Sequence, residues 1–296
     1  MKLELIVEEL WTKSRFTSYF YQGVDLVEED SIPTIALGLY SSRLTLFYNQ
    51  EFISDFTNDE LTSLLVHEML HVLLNHDHRG FENGNIYLQN IAQDMVINSY
   101  ILENRKNFFS SKNRDIGNRD IVDKPELIIP SGLPVIPEQF FADTTINDPF
   151  WEEVYRWLKL QPKEDIQRYR FTGDNTGSKS MSIGKLSIEQ LKDELDSFDL
   201  SYNSAPKERY TNFKNMTGLM FDKDNGEHIP TGVHIMNKKT DLNILDAKIN
   251  NFMTLAKKDE ISANERIFND IAAIINAVKN TDLSWKIGRA SCRERV

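Results

Sequence analysis

Apolar residues at a helical period open the chain. Leu3, Ile6, Val7, Leu10 and Trp11 share one face, which predicts an amphipathic helix over residues 3–21. A hydrophilic turn at 27–31 leads to Pro33. Two short runs rich in β-branched and aromatic residues follow, at 34–40 and 44–48, and flank Ser41-Ser42-Arg43; this pattern predicts a β-hairpin. Thr57, with Glu60 three residues later, forms a capping box, so a helix begins there and runs to about Arg79, where Gly80 is the stop signal. A second long helical pattern covers 86–102. Ile91, Met95, Val96, Ile101 and Leu102 are its apolar positions, and Asn90, Asp94 and Asn98 recur every fourth residue on one face.

Beyond residue 104 the pattern loosens. Residues 104–121 are polar, and prolines at 125, 130, 134 and 137 impose an extended path, because they oppose both a helix and a central strand. Asp148-Pro149 opens a short helix over 148–159 with Trp151, Val154, Tyr155 and Leu158 on its apolar face. Residues 161–184 are polar and rich in Gly and Ser, 186–198 are weakly helical and acidic, and 202–232 show no clear period. Asp222-Lys223-Asp224-Asn225-Gly226 resembles the start of a calcium loop. The twelfth position is Val233, where such a loop needs a bidentate acid, so the segment reads as a turn. Helical patterns return at 242–255 and 262–278. The fold class expected is α+β, mainly helical, with a small hairpin or sheet beside the helix that starts at Thr57. Its domains are a first unit over 1–160, a polar linker or irregular insertion over 161–240, and a helical segment over 241–286 that either completes the first unit or leads to a further C-terminal domain.

Composition narrows the function. The 296 residues are 40% hydrophobic and 27% charged, ordinary for a soluble globular chain. With 34 basic against 45 acidic residues the net charge is −11, which disfavours binding to phosphate backbones, so no nucleic-acid partner is expected. No apolar run has the length of a signal-peptide core or a membrane span, which makes the cytoplasm the expected location and a membrane an unexpected partner. Residues 287–296 read as the in-frame translation of a sequencing-adapter oligonucleotide on a truncated gene. Without those three arginines and one glutamate, 31 basic and 44 acidic residues remain, a net −13. The single cysteine, Cys292, falls in that tail, so disulfides and thiol catalysis are not expected.

The chemistry concentrates in the helix that begins at Thr57. His67-Glu68-Met69-Leu70-His71 is an H-E-x-x-H motif, and four of the six histidines lie between positions 67 and 78. Residues i and i+4 sit one turn apart on one helix face, so both imidazoles reach one ion, and the glutamate beside them can take a proton from a water that the metal activates. Leu61, Leu64, Leu65, Leu70, Val72, Leu73 and Leu74 make this helix apolar over much of its surface. Burying two histidines and a carboxylate there without a partner would be costly, and a metal removes the objection. The expected ion is Zn²⁺, on His67 and His71, with Glu68 as general base.

A catalytic zinc takes three protein ligands and leaves one position for water. If the helix continues, His76 lies nearly opposite His67 and His78 sits roughly 16 Å further along the axis. The metzincin spacing puts Leu74 and Asp77 where its glycine and third histidine belong, and neither fits. A carboxylate from the second helix is left. Asp94, with Asn90 and Asn98 placed to hold it, is the expected third ligand, and Glu82 and Glu103 are the runners-up at element ends.

With these residues in place, the chain resembles the bacterial and phage metal-dependent peptidases whose N-terminal metallopeptidase-like domain precedes a von Willebrand A-like domain. The matching pieces are Pro33-Thr34-Ile35-Ala36, Leu46-Phe47-Tyr48-Asn49-Gln50-Glu51-Phe52, the stretch from His67 through Asn75 to His76, and Asn90-Ile91-Ala92-Gln93-Asp94-Met95-Val96-Ile97-Asn98. A weaker echo covers 148–158. The resemblance implies a zincin-like fold whose sheet can hold an extended peptide, and an AAA-type ATPase as partner. No Asp-x-Ser-x-Ser motif of the second domain appears, in keeping with truncation near Lys286.

The expected function is a zinc metallopeptidase acting on peptide or protein substrates. The strand at 44–48 would bind the substrate backbone, and His76, His78 or Arg79 would steady the oxyanion. The alternative is a metal-stabilised, non-catalytic partner-binding module, its zinc closed by a fourth ligand such as His76 or His78 from a broken helix.

Overall fold

A computed structural model describes residues 2–29, 34–54, 56–76, 79–81, 85–109, 126–130, 133–162, 216–221, 228–235, 242–259 and 266–279. The readings made for 163–215, 222–227 and 280–296, and the candidates His78 and Glu82, lie outside the described residues.

The opening helical pattern folds as two helices, α1 (Lys2–Lys13) and α2 (Arg15–Tyr21), not one. Ser14 separates them. Its N–H still bonds back to Leu10 O and its carbonyl already accepts from Ser18 N, while its φ of −139° is extended. Ser14 is the N-cap of α2, and its hydroxyl meets the Thr17 hydroxyl at 2.8 Å, so the chain bends where the apolar period alone predicts continuity.

The predicted hairpin is present as β2 (Ile35–Tyr40) and β3 (Arg43–Tyr48), antiparallel, with Leu37 opposite Leu46. A third strand, β1 (Val24–Glu28), pairs parallel to β3 and gives the order β1-β3-β2. Part of β1 overlaps the residues read as a hydrophilic turn; only its exposed edge carries that polarity. β3 is therefore the central strand, hydrogen-bonded on both sides. It has no edge to offer, and the expectation that 44–48 binds substrate by strand addition is overturned.

Helix α3 (Gln50–Ser54) leads into α4 (Asn58–Leu73), which opens with the predicted capping box: Thr57 Oγ1 accepts from Glu60 N, and Glu60 Oε2 accepts from Thr57 N. α5 (Ile86–Asn104) packs against α4, and its first turn is capped by Asn85, whose Oδ1 accepts from Leu88 N. Residues 126–130 and 133–137 are neither helix nor strand, as their prolines require. α6 (Glu138–Asp143) and α7 (Trp151–Leu158) follow, with α7 laid on α5. Two strands that the sequence pattern left without an element, β4 (Met216–Phe221) and β5 (His228–Ile235), pair with each other beside β2 and α5. The chain then enters α8 (Leu242–Lys258) and α9 (Arg266–Lys279), close to the helices predicted there.

Two apolar cores share α5. The larger joins α1, α2, the three-stranded sheet, α4, α8 and α9, and takes Ile97 and Ile101 from α5. The smaller is built by Leu88, Ile91, Ala92 and Met95 of α5 with Phe140, Trp151, Val154, Tyr155, Trp157 and Leu158. With both flanks of α5 committed to apolar packing, its polar stripe is left to face α4. No helix among the described residues is long and apolar enough to cross a membrane.

The β2–β3 turn carries strain. Ser41 and Ser42 have φ of 48° and 65°, the arrangement a two-residue hairpin needs but one that favours Asn-Gly. A left-handed L-residue costs about 1–2 kcal/mol, and glycine's extra unfolded-state freedom offsets about 0.5–1 kcal/mol of any relief. Ser42→Gly is expected to stabilise the fold by about 0.5–1 kcal/mol, read as a higher denaturant midpoint at unchanged slope; a lower midpoint would refute this account of the turn.

Candidate metal centre

The site is assembled where α4 meets α5. His67 and His71 lie one turn apart on α4, and Asp94 projects from α5 between them. His67 Nε2 and His71 Nε2 are 3.0 Å apart, Asp94 Oδ1 is 3.2 Å from His71 Nε2, and it is 3.6 Å from His67 Nε2. All three residues are buried, with His71 3% and Asp94 6% exposed. Ligands at the usual zinc–nitrogen and zinc–oxygen distances of about 2.0–2.2 Å occupy tetrahedral corners about 3.3–3.5 Å apart. The three separations bracket that value, so His67, His71 and Asp94 could hold a metal ion, and they form such a group among the described residues.

Charge points the same way. Glu68 is also buried, 6% exposed, so two carboxylates lie in the same apolar interior. The desolvation cost of even one buried carboxylate is several kcal/mol, whereas one dication beside Asp94 and Glu68 would balance both. Glu68 makes itself felt across the core: burial pushes the Tyr21 phenol well above its ordinary value, and the Glu68 charge adds to that rise. Tyr21 Oη–H donates to Leu65 O at 2.6 Å, which ties α2 to α4 two residues before the motif.

The second histidine nitrogens are also engaged. Asn98 Nδ2 donates to Pro134 O at 2.8 Å, and a carbonyl only accepts, so the orientation of the amide is fixed. Asn98 Oδ1 must then face His67 Nδ1, at 2.9 Å, and can only accept from it. His67 Nδ1 is therefore a donor, and in a neutral His67 the Nε2 lone pair is the one turned toward the cluster. Asn98 holds His67, not Asp94 as the sequence spacing suggested. The extended segment behind it is fixed a second time, by Ile136 N donating to Ser99 Oγ.

The end of α4 corrects a further expectation. The helix stops at Leu73, not near Arg79, because Asn75 adopts a left-handed φ of 56°. Asparagine tolerates that conformation and ends helices as glycine does. His76 therefore does not lie opposite His67. It turns back, buried, with its Nδ1 3.2 Å from His71 Nδ1, and Gln93 Nε2 donates to its carbonyl. Arg79 is paired with Glu152 of α7 and reaches Leu74 O, so it braces this corner. Burial raises the Glu152 carboxyl above its ordinary value despite that cation. Glu103, a runner-up for the third ligand, is exposed at the end of α5.

Fold and site together define an α+β, mostly helical domain built around a buried His-His-Asp cluster, its histidines on an H-E-x-x-H helix and its aspartate on the helix packed against it. Residues 24–109 match the model of a protein family described as "Putative metallopeptidase domain". That span starts with the first residue of β1 and ends just past α5, so it holds the whole three-stranded sheet and all three residues of the cluster. No match to a curated protein or to a solved structure was found.

Asn98→Leu removes the acceptor for His67 Nδ1–H and strands the buried Pro134 carbonyl. Loss of such an outer partner lowers metal affinity about 10–100-fold. Chelator competition is expected to show a fall of that size; unchanged zinc affinity would show that Asn98 does not orient His67.

Proposed function

We propose that the chain is a zinc-dependent metallopeptidase with a zincin-like arrangement of sheet and motif helix, spanning approximately residues 1–160 and completed by the helical segment at 241–286. His67, His71 and Asp94 are its metal ligands and Glu68 is its general base. The observation that carries this reading is the spacing of His67 Nε2, His71 Nε2 and Asp94 Oδ1 at 3.0, 3.2 and 3.6 Å in a buried interior, within the span that matches the metallopeptidase family.

A divalent ion held there would supply Lewis acidity to a water and to the scissile carbonyl. The rest is the work of the chain. Glu68 sits between the two histidines in sequence and about 100° around the helix from His67. It takes a proton from the attacking water and later delivers it to the leaving amine, the role that the H-E-x-x-H spacing reserves for it. As metal ligands His67 and His71 would be neutral, so Asp94 and Glu68 would set the balance against a dication. Burial of all four side chains lowers the local dielectric and strengthens each of these interactions. The family match implies peptide or protein substrates.

His76 does not favour the closed, non-catalytic alternative. Its Nδ1 lies against the ring nitrogen of His71 that faces away from His67 and Asp94, so it is not a fourth donor beside these three.

Elemental analysis of the purified chain is expected to give about one zinc per molecule. Asp94→Ala should lose it, while Glu68→Gln should keep it and lose peptide hydrolysis by about 10²–10⁴-fold, the usual contribution of a general base. Zinc retained at full affinity by Asp94→Ala would remove Asp94 from the ligand set, and hydrolysis retained by Glu68→Gln would overturn the mechanism.

A further inference from the structure

The corner that ends α4 puts a third imidazole directly behind the cluster. We propose that His76 is a positioning residue: it accepts a hydrogen bond from His71 Nδ1–H and thereby holds His71 in the tautomer whose Nε2 lone pair faces the metal. This inference rests on the metal-binding reading above and adds to it a residue outside the H-E-x-x-H motif and its third ligand.

The geometry leaves two arrangements for the pair. The Nδ1 atoms are 3.2 Å apart, so one ring donates and the other accepts. If His76 donated, a neutral His71 would carry its proton on Nε2, pointing into the space between His67 Nε2 and Asp94 Oδ1. That tautomer can hydrogen-bond to Asp94 but has no lone pair left for an ion. If His71 donates, Nε2 is free to ligate and His76 Nδ1 is the acceptor that the buried N–H requires. A buried donor without a partner is costly, so metal binding and acceptance by His76 are coupled.

The surroundings hold His76 in place for this task. The left-handed Asn75 turns the chain, and Gln93, the neighbour of Asp94 on α5, holds the His76 carbonyl through Nε2 at 3.4 Å. The His76 and Trp151 rings meet edge to face, with centroids 6.4 Å apart, and Trp151 of α7 is itself packed by Phe81 and Tyr155. The two ligand histidines are thus oriented by different chemistry. His67 answers to an amide whose direction a carbonyl fixes, and His71 answers to an imidazole fixed by a helix end.

The test compares His76→Leu, His76→Asn and His76→Gln in the full chain, by zinc affinity through chelator competition and by the visible spectrum of the Co²⁺-loaded protein. Asparagine carries its oxygen where histidine carries Nδ1, whereas the glutamine oxygen extends toward the position of Nε2. His76→Leu and His76→Gln are expected to lose about 10–100-fold in zinc affinity and to alter the Co²⁺ bands, while His76→Asn restores both toward wild type. A merely structural role would make Asn and Gln equally poor, and that result would overturn the proposal, as would His76→Leu binding zinc like wild type. If His76→Leu fails to fold, the Asn–Gln comparison alone decides. Wild-type chain that takes up zinc with no difference between Asn and Gln would sink the role of His76 only. Wild-type chain that takes up no zinc would sink the metal reading and this inference with it.

Discussion

Placing charge and hydrogen-bonding capacity inside an apolar interface is the constraint around which this domain is arranged. α4 is buried on every side, yet His67, Glu68 and His71 lie in its third and fourth turns. α5 answers with Asn90, Asp94 and Asn98 along the one face that its two apolar cores leave over. Each buried polar group costs on the order of 1–3 kcal/mol if unanswered and an unpaired carboxylate several. Such a seam is tolerable only if the groups satisfy one another, a metal or both. The separations of 3.0, 3.2 and 3.6 Å among His67, His71 and Asp94 are what results when three donors converge on a common point.

The helices supply the spacing, and irregular backbone supplies the direction. An α-helix has already paired its interior carbonyls and amides, so it has few backbone groups with which to orient a neighbour's side chain. The outer partners of this site come from places where the backbone is not so committed. Pro134, on a segment its prolines keep extended, offers the carbonyl that sets Asn98 and through it His67. Asn75, left-handed at the end of α4, turns His76 back onto His71. Both devices are remote in sequence from the histidine they contact or depend on a dihedral angle, which is why spacing along the motif helix could not announce them.

That difference explains how much was readable in advance. The capping box at Thr57, the hairpin, the second helix and the short helix at Trp151 all follow from local chemistry or a local period, and each is present. The place of Asp94 beside His67 and His71 was legible because a charged residue in an apolar repeat needs an explanation. The extent of α4 was misjudged because Val72, Leu73 and Leu74 prolong the apolar pattern past the true end, while Asn75, the stronger signal, looks like any polar residue. The break at Ser14 was hidden in the same way, since the apolar face of α1 resumes in α2. β1 was missed because its pairing with β3 is parallel and comes from beyond the hairpin, and a short, half-exposed edge strand has little period to show.

The same logic separates what the site owes to its motif from what it owes to the rest of the chain. H-E-x-x-H guarantees that two imidazoles and a carboxylate share a helix, but it leaves four ring nitrogens and two tautomers per ring undetermined. One of those choices is made here by α5 together with the segment at 133–137, and the other lies with the corner braced by α7 through Trp151 and the Arg79–Glu152 pair. α6 and α7 lie outside the span that matches the metallopeptidase family, yet the smaller core they complete supports the surroundings of His76. The smaller core is therefore part of the framework of the candidate metal site: loosening it would act on His71 through His76 without touching His67, His71 or Asp94.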